Sequence, residues 1–114
     1  MIMGMKSYIL GIEGENLACV YLKNLGFEIL ERNFSSKFGE IDIIVIKNEI
    51  LHFIEVKTTK GNYEVSYRLD HKKYMKLVKT IKYYFMKHMC DKNYQLDLLC
   101  IYKDDIKLIE NVSY

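Results

Sequence analysis

The spacing of apolar and polar positions changes period along the chain and so divides it into predicted helices and strands. From about Ser7 to Asn24, Leu17, Ala18, Tyr21, Leu22 and Leu25 recur at helical spacing, and Gly26 supplies the stop. Phe27–Asn33 then alternates as a strand does, ahead of the turn-rich Ser35-Ser36-Lys37-Phe38-Gly39. Two further strands, Ile41–Ile46 and Ile50–Val56, are dense in β-branched residues and apolar on both faces. That is the pattern of strands inside a sheet with helices over it. Lys60-Gly61-Asn62 reads as a turn, and a second helix is expected from about Leu69 to Met89. Short strands at Gln95–Tyr102 and Ile106–Glu110 close the chain around a turn at Asp104-Asp105. The predicted order is αβββαββ, an α/β fold, and with no proline, repeat or linker it reads as a single domain over residues 1–114.

The second helix has two unlike faces. Tyr74, Leu77, Val78, Ile81, Tyr84, Phe85 and Met89 share one half of the helical wheel, which must pack on the sheet. Lys72, Lys73, Lys76, Lys79, Lys82 and Lys87 hold the other, which faces water or a partner. The tyrosines invite a base-stacking reading, but their phase assigns them to the core.

Charge sharpens this picture. The formal net charge is only +2, yet Lys57 to Lys92 holds ten basic residues against three acidic ones, while the remaining chain is net acidic. Such asymmetry suggests a surface that faces a polyanion beside an acidic site, or else a solvated lysine face. The three cysteines, Cys19, Cys90 and Cys100, are widely spaced, which excludes a disulfide scaffold and argues against a zinc knuckle. No apolar run approaches the roughly 20 residues that span a bilayer. The first residues lack the apolar stretch of a signal peptide. A cytoplasmic protein without a membrane partner is expected.

The candidate chemistry lies in the two central strands. If Asn48-Glu49 is a two-residue turn, Lys47 faces Ile50 and Asp42 lies opposite Glu55. Directly opposed side chains have Cβ atoms roughly 4.5–5.5 Å apart. Two carboxylates so placed among apolar residues repel each other and require compensation. Lys57, two residues beyond Glu55, points to the same face. A divalent cation answers both acids, and Asp42, Glu55 and the Val56 carbonyl form a partial oxygen shell suited to Mg²⁺, with Mn²⁺ as a substitute. A structural ion-pair cluster fits the same spacing. His52 reads as a packed or edge histidine, and no nucleophile motif or glycine-rich phosphate loop is present.

Asp42, followed after twelve residues by Glu55-Val56-Lys57, resembles the signature of the PD-(D/E)xK nuclease superfamily. More narrowly, the chain resembles the YraN-like family of small uncharacterised bacterial proteins. The matching segments are Gly14-Glu15, Arg32-Asn33, Gly39-Glu40-Ile41-Asp42, Phe53-Ile54-Glu55-Val56-Lys57-Thr58, Lys73 and Leu96-Asp97. The resemblance implies a restriction-endonuclease-like domain, a mixed central sheet flanked by helices. It further implies that Asp42 and Glu55 bind metal and that Lys57 assists catalysis. By similarity to archaeal Holliday-junction resolvases, Glu15 joins them; a first-turn acid at a helix start is the competing reading. Thr59 and Gln95 stand where relatives often carry arginine.

Three functions fit these features. The first is a Mg²⁺-dependent endonuclease that hydrolyses phosphodiesters in DNA, branched or structured DNA included, with Lys72, Lys73, Lys76 and Lys79 on the phosphates. DNA is expected over RNA, and cutting two strands symmetrically calls for a homodimer. The second is a catalytically inactive nucleic-acid-binding accessory protein of the same fold. The third is an interaction module whose lysine face meets an acidic protein.

Overall fold

The computed structural model describes residues 3–59, 69–103 and 105–112. Among these, the elements follow the expected order: α1 (Met3–Asn24), β1 (Glu28–Ser36), β2 (Gly39–Lys47), β3 (Ile50–Thr59), α2 (His71–His88), β4 (Asn93–Tyr102) and β5 (Asp105–Ile109). The strands form a mixed five-stranded sheet in the order β1-β2-β3-β4-β5. Only β3 and β4 run parallel, because α2 carries the chain back between them; the other neighbours are antiparallel. The turn expected at Lys60-Gly61-Asn62 lies outside the described residues, as does Asp104 of the expected Asp104-Asp105 turn, while Asp105 already belongs to β5, paired with Tyr102.

The β2–β3 hairpin has the register that the Asn48-Glu49 turn predicts: Lys47 faces Ile50, and the pairing runs to Ile43 opposite Ile54. Asn48 and Glu49 have φ of 52° and 65°, the pair of left-handed residues that a type I′ turn needs. Alternate residues of these strands then go to opposite faces. Ile44, Leu51 and Phe53 meet Leu77, Ile81 and Tyr84 of α2. Ile43, Val45 and Ile54 meet Ala18, Cys19 and Leu22 of α1. The two helices therefore cover opposite sides of the sheet. Phe53 is fully buried, with its ring edge-on to Tyr84 at 5.3 Å, the kind of burial worth about 1.5–3 kcal/mol.

Both helices depart from their predicted faces in detail. In α1 the buried line is Gly14, Ala18 and Leu22, while Leu17 and Leu25 are 51% and 41% exposed. Gly14 sets that phase, since a Cβ there would lie 2.8 Å from Thr58 Oγ1 of β3. Gly26, at φ 92°, ends α1 in the left-handed conformation as expected. In α2, Asp70 caps the start by accepting from the Lys73 amide at 2.8 Å. Met89 is the left-handed cap at the other end and is 93% exposed, not part of the core face. The tyrosines do join the core: Tyr84 is buried, with Tyr74 and Tyr83 packed partly against it.

Candidate functional site

The ladder between β2 and β3 ends at Ile43–Ile54, one step before Asp42 would pair with Glu55. Beyond that point the two strands keep their outer partners. Residues 39–41 of β2 continue along β1, and β3 continues along β4 as far as Thr59 opposite Tyr102. The sheet thus opens a fork between its two central strands, and Asp42 stands in it. Asp42 Oδ2 accepts the backbone N–H of Val56 at 2.7 Å, so a side chain takes over where the backbone ladder stops. In an extended strand the N–H and C=O of one residue point to the same edge. The Val56 carbonyl therefore faces the fork as well.

Glu55 follows Leu51 and Phe53 onto the α2 side by strand alternation, and Asp42 follows Ile44 and Ile46. Glu55 is only 6% exposed. Its Oε1 lies 3.8 Å from Lys73 Nζ, an ion pair too long for a hydrogen bond. Its Oε2 is buried with no hydrogen-bond partner. A buried acceptor without a donor is expensive, and more so when it carries charge. Burial first, and then the adjacent Asp42 carboxylate, push the Glu55 carboxyl up to about 8, while Lys73 and Lys57 pull the other way. Two such acids side by side need a proton, a lysine or a bound cation to offset their repulsion. The donor set fits a small hard divalent ion: two carboxylates, a carbonyl on the same edge, and one oxygen with nothing to accept from.

The structure thus brings together Asp42, Glu55, Val56, Lys57 and Lys73. It places Glu15 elsewhere. That residue belongs to α1, on the other side of the sheet, and its carboxylate meets Arg32 Nη2 at 3.5 Å. Lys73 is exposed on α2 like Lys72, Lys76 and Lys79, and its ammonium also lies within ion-pair distance of Glu55. The sequence carried a signal for that contact, since Lys73 begins the helix that packs over the strand bearing Glu55. Burial raises the thiols of Cys19 and Cys100, which suits inert core residues better than nucleophiles.

A second buried polar group lies on the α1 side of the sheet, where Asp97 of β4 stands opposite Ile54. Asp97 is fully buried and takes three donors: His52 Nδ1 at 2.6 Å on Oδ2, with Gln95 Nε2 at 2.9 Å and the Asn111 amide at 2.8 Å on Oδ1. His52, buried and edge-on to Phe27 at 4.8 Å, is the packed histidine expected of it. With Glu110 nearby, these residues have ligand-like chemistry, but every contact already has a structural purpose. The network ties β3, β4 and the segment after β5 together.

Among the described residues no helix is long and apolar enough to cross a membrane. A model of the uncharacterised protein family UPF0102 matches residues 14–101. A UPF0102 protein of Campylobacter lari is 70% identical over 98% of this chain and 100% of its own length. Similar proteins occur in Campylobacter jejuni subsp. doylei and Campylobacter fetus subsp. fetus, 58% and 53% identical over the same shares.

Proposed function

The chain belongs to the uncharacterised protein family UPF0102, the YraN-like family, and from that premise we propose that it is a divalent-cation-dependent endonuclease acting on DNA, structured DNA in particular. The observation that carries this reading is the unpartnered buried oxygen of Glu55 beside the Asp42 carboxylate in the strand fork.

Asp42, Glu55 and the Val56 carbonyl would hold Mg²⁺, or Mn²⁺ in its place. Such an ion supplies a Lewis acid for a phosphoryl oxygen and makes a bound water a stronger nucleophile at neutral pH. Lys57, on the same face as Glu55, offsets the charge that develops on the phosphoryl oxygens and orients the attacking water. The N–H of Val56 fixes the Asp42 carboxylate, so one of its two oxygens is already oriented. Lys72, Lys76 and Lys79 contact phosphates along the strand, giving affinity without sequence preference. Lys73, which balances Glu55 electrostatically, can turn to the backbone phosphate when another cation takes its place. Glu15 enters this scheme as an acid of α1 that is ion-paired with Arg32 at 3.5 Å. Symmetric cleavage of two strands would require a second copy of this domain.

The test uses purified protein with labelled junction, flap and duplex DNA in Mg²⁺ or Mn²⁺. Cleavage by the wild type that is lost in Asp42→Ala and Lys57→Ala supports the reading. Equal cleavage by wild type and Asp42→Ala identifies a contaminant.

One observation favours a second reading. The fork contains two acids and two lysines, Asp42 and Glu55 against Lys57 and Lys73, and can balance its own charge without an ion. A nucleic-acid-binding protein that does not turn over its ligand fits this. It predicts salt-sensitive DNA binding that Asp42→Ala leaves intact, with no cleavage in any divalent metal.

A further inference from the structure

The β1–β2 turn does not stand free of the domain. Its residues close onto α2, where Ser36 Oγ and Thr80 Oγ1 are 3.2 Å apart and Thr80 is fully buried. Ser36 Oγ also accepts the Phe38 amide at 3.0 Å. A Cβ on Gly39 would meet Thr80 Oγ1 at 3.5 Å and Lys76 Cβ at 3.7 Å, ordinary contact distances that place the hairpin tip directly against the helix. Held this way, the Phe38 ring is presented at the surface and 37% exposed.

Between the tip and α2 lies a cleft of about 410 Å³, lined by Lys37, Phe38, Lys79, Lys82, Tyr83 and Met86. Its floor is aromatic and thioether. Its rim holds three lysines and no acid, the nearest carboxylate on the hairpin being Glu40, which faces Ser35 Oγ. Lys37 Nζ and Lys79 Nζ stand 5.3 Å and 5.9 Å from the centre of the Phe38 ring. A flat apolar floor ringed by cations matches one chemical unit well: an aromatic base whose neighbours on the strand are phosphates.

The position relative to the fork is informative. Lys73 marks the fork on α2, and Lys79 and Lys82 lie six and nine residues further along that helix. That is about 9–14 Å of helix, the rise of roughly three or four stacked nucleotides. A strand whose phosphodiester lay at Asp42 and Glu55 would follow the exposed Lys76 to this cleft.

We propose that the cleft between Phe38 and α2 binds an unpaired base of the DNA strand, so that the substrate class is DNA with a single-stranded overhang or flap and not plain duplex. This rests on the reading that the lysine face of α2 meets DNA. Inside a duplex both faces of each base are covered by its neighbours, so an internal paired base cannot stack on Phe38, whereas an unpaired one can.

The test is equilibrium binding in EDTA, where cleavage plays no part, with 2-aminopurine placed at successive positions of a flap. The wild type is expected to bind flap and single-stranded DNA more tightly than duplex and to quench 2-aminopurine at one or two adjacent positions. Phe38→Ala should abolish that quench and weaken flap binding by at least about tenfold, with duplex affinity unchanged and the thermal midpoint retained. Phe38→Trp should restore both signals. Flap binding by Phe38→Ala equal to wild type, or an equal loss on flap and duplex, would overturn the proposal. So would displacement of the strand by an acidic phenylalanine-containing peptide more readily than by unlabelled flap, which would mark the cleft as a protein site. Failure of the nuclease reading looks different: the quench and its loss in Phe38→Ala would persist while no metal ion supports cleavage.

Discussion

Two buried carboxylates on neighbouring strands face opposite fates. Asp97 has no exposure and three donors, one from a ring nitrogen, one from an amide side chain and one from a backbone amide. Glu55 is almost as buried, but one oxygen lacks any partner, the other has only a distant ammonium, and a second carboxylate stands beside it. A buried acid with its acceptor sites filled holds structure together. A buried acid left short of donors, next to another acid, is a place where a cation lowers the free energy. The same residue chemistry thus separates into a structural network and a candidate reactive centre through the count of donors and the neighbouring acid.

Substitution at each acid should have opposite consequences. Asp97→Ala strands His52, Gln95 and the Asn111 amide, and should lower stability by about 3–5 kcal/mol, read as a fall of more than about 10 °C in Tm. A loss under 1 kcal/mol would mean that the network is incidental. Glu55→Gln should act the other way. It keeps the shape and removes the charge, so without metal at pH 9 it should raise stability by about 1–3 kcal/mol. Destabilisation at that pH would show Glu55 to be a satisfied structural acid after all.

The comparison also has a pH dependence. The Glu55 carboxyl is raised from 4.5 in a free chain to about 8 in the fold. A group raised on folding stabilises the native state fully below its unfolded value and loses that contribution as pH climbs through the folded value. Metal-free wild type should therefore lose stability between about pH 4.5 and 8 relative to Glu55→Gln, and divalent ion should restore it most at the upper end. Parallel pH profiles for the two proteins would contradict this. The smallest expected effect is that of Lys73→Ala. Its ammonium is partly exposed and 3.8 Å from Glu55, so stability should change by less than about 1 kcal/mol. DNA affinity should fall with a shallower salt slope.

How much of this was legible beforehand follows from the range of each interaction. The Asn48-Glu49 turn and the register it sets are local, and the pattern of β-branched residues around them was enough to place Asp42 and Glu55 near each other. The apolar half of α2 was legible for the same reason, through Leu77, Ile81 and Tyr84. What escaped depends on contacts between distant segments. The ladder stops at Ile43 while β2 goes on along β1 and β3 along β4, and no local pattern encodes that. Leu17 is exposed although its spacing is that of a buried residue, because Gly14 against Thr58 turns α1 to another phase. The pairing of Glu15 with Arg32, the reach of Lys73 to Glu55 and the seating of Phe38 beside Lys79 likewise join residues far apart in the chain.

The central claim is that the fork between β2 and β3 is a cation site, and a crystal soaked in Mn²⁺ tests it most directly. The account predicts one anomalous peak coordinated by Asp42, the Glu55 oxygen that lacks a partner, and the Val56 carbonyl, absent in Asp42→Ala. No peak between the two acids in a crystal at pH 8 or above, with Lys73 still against Glu55, would contradict it.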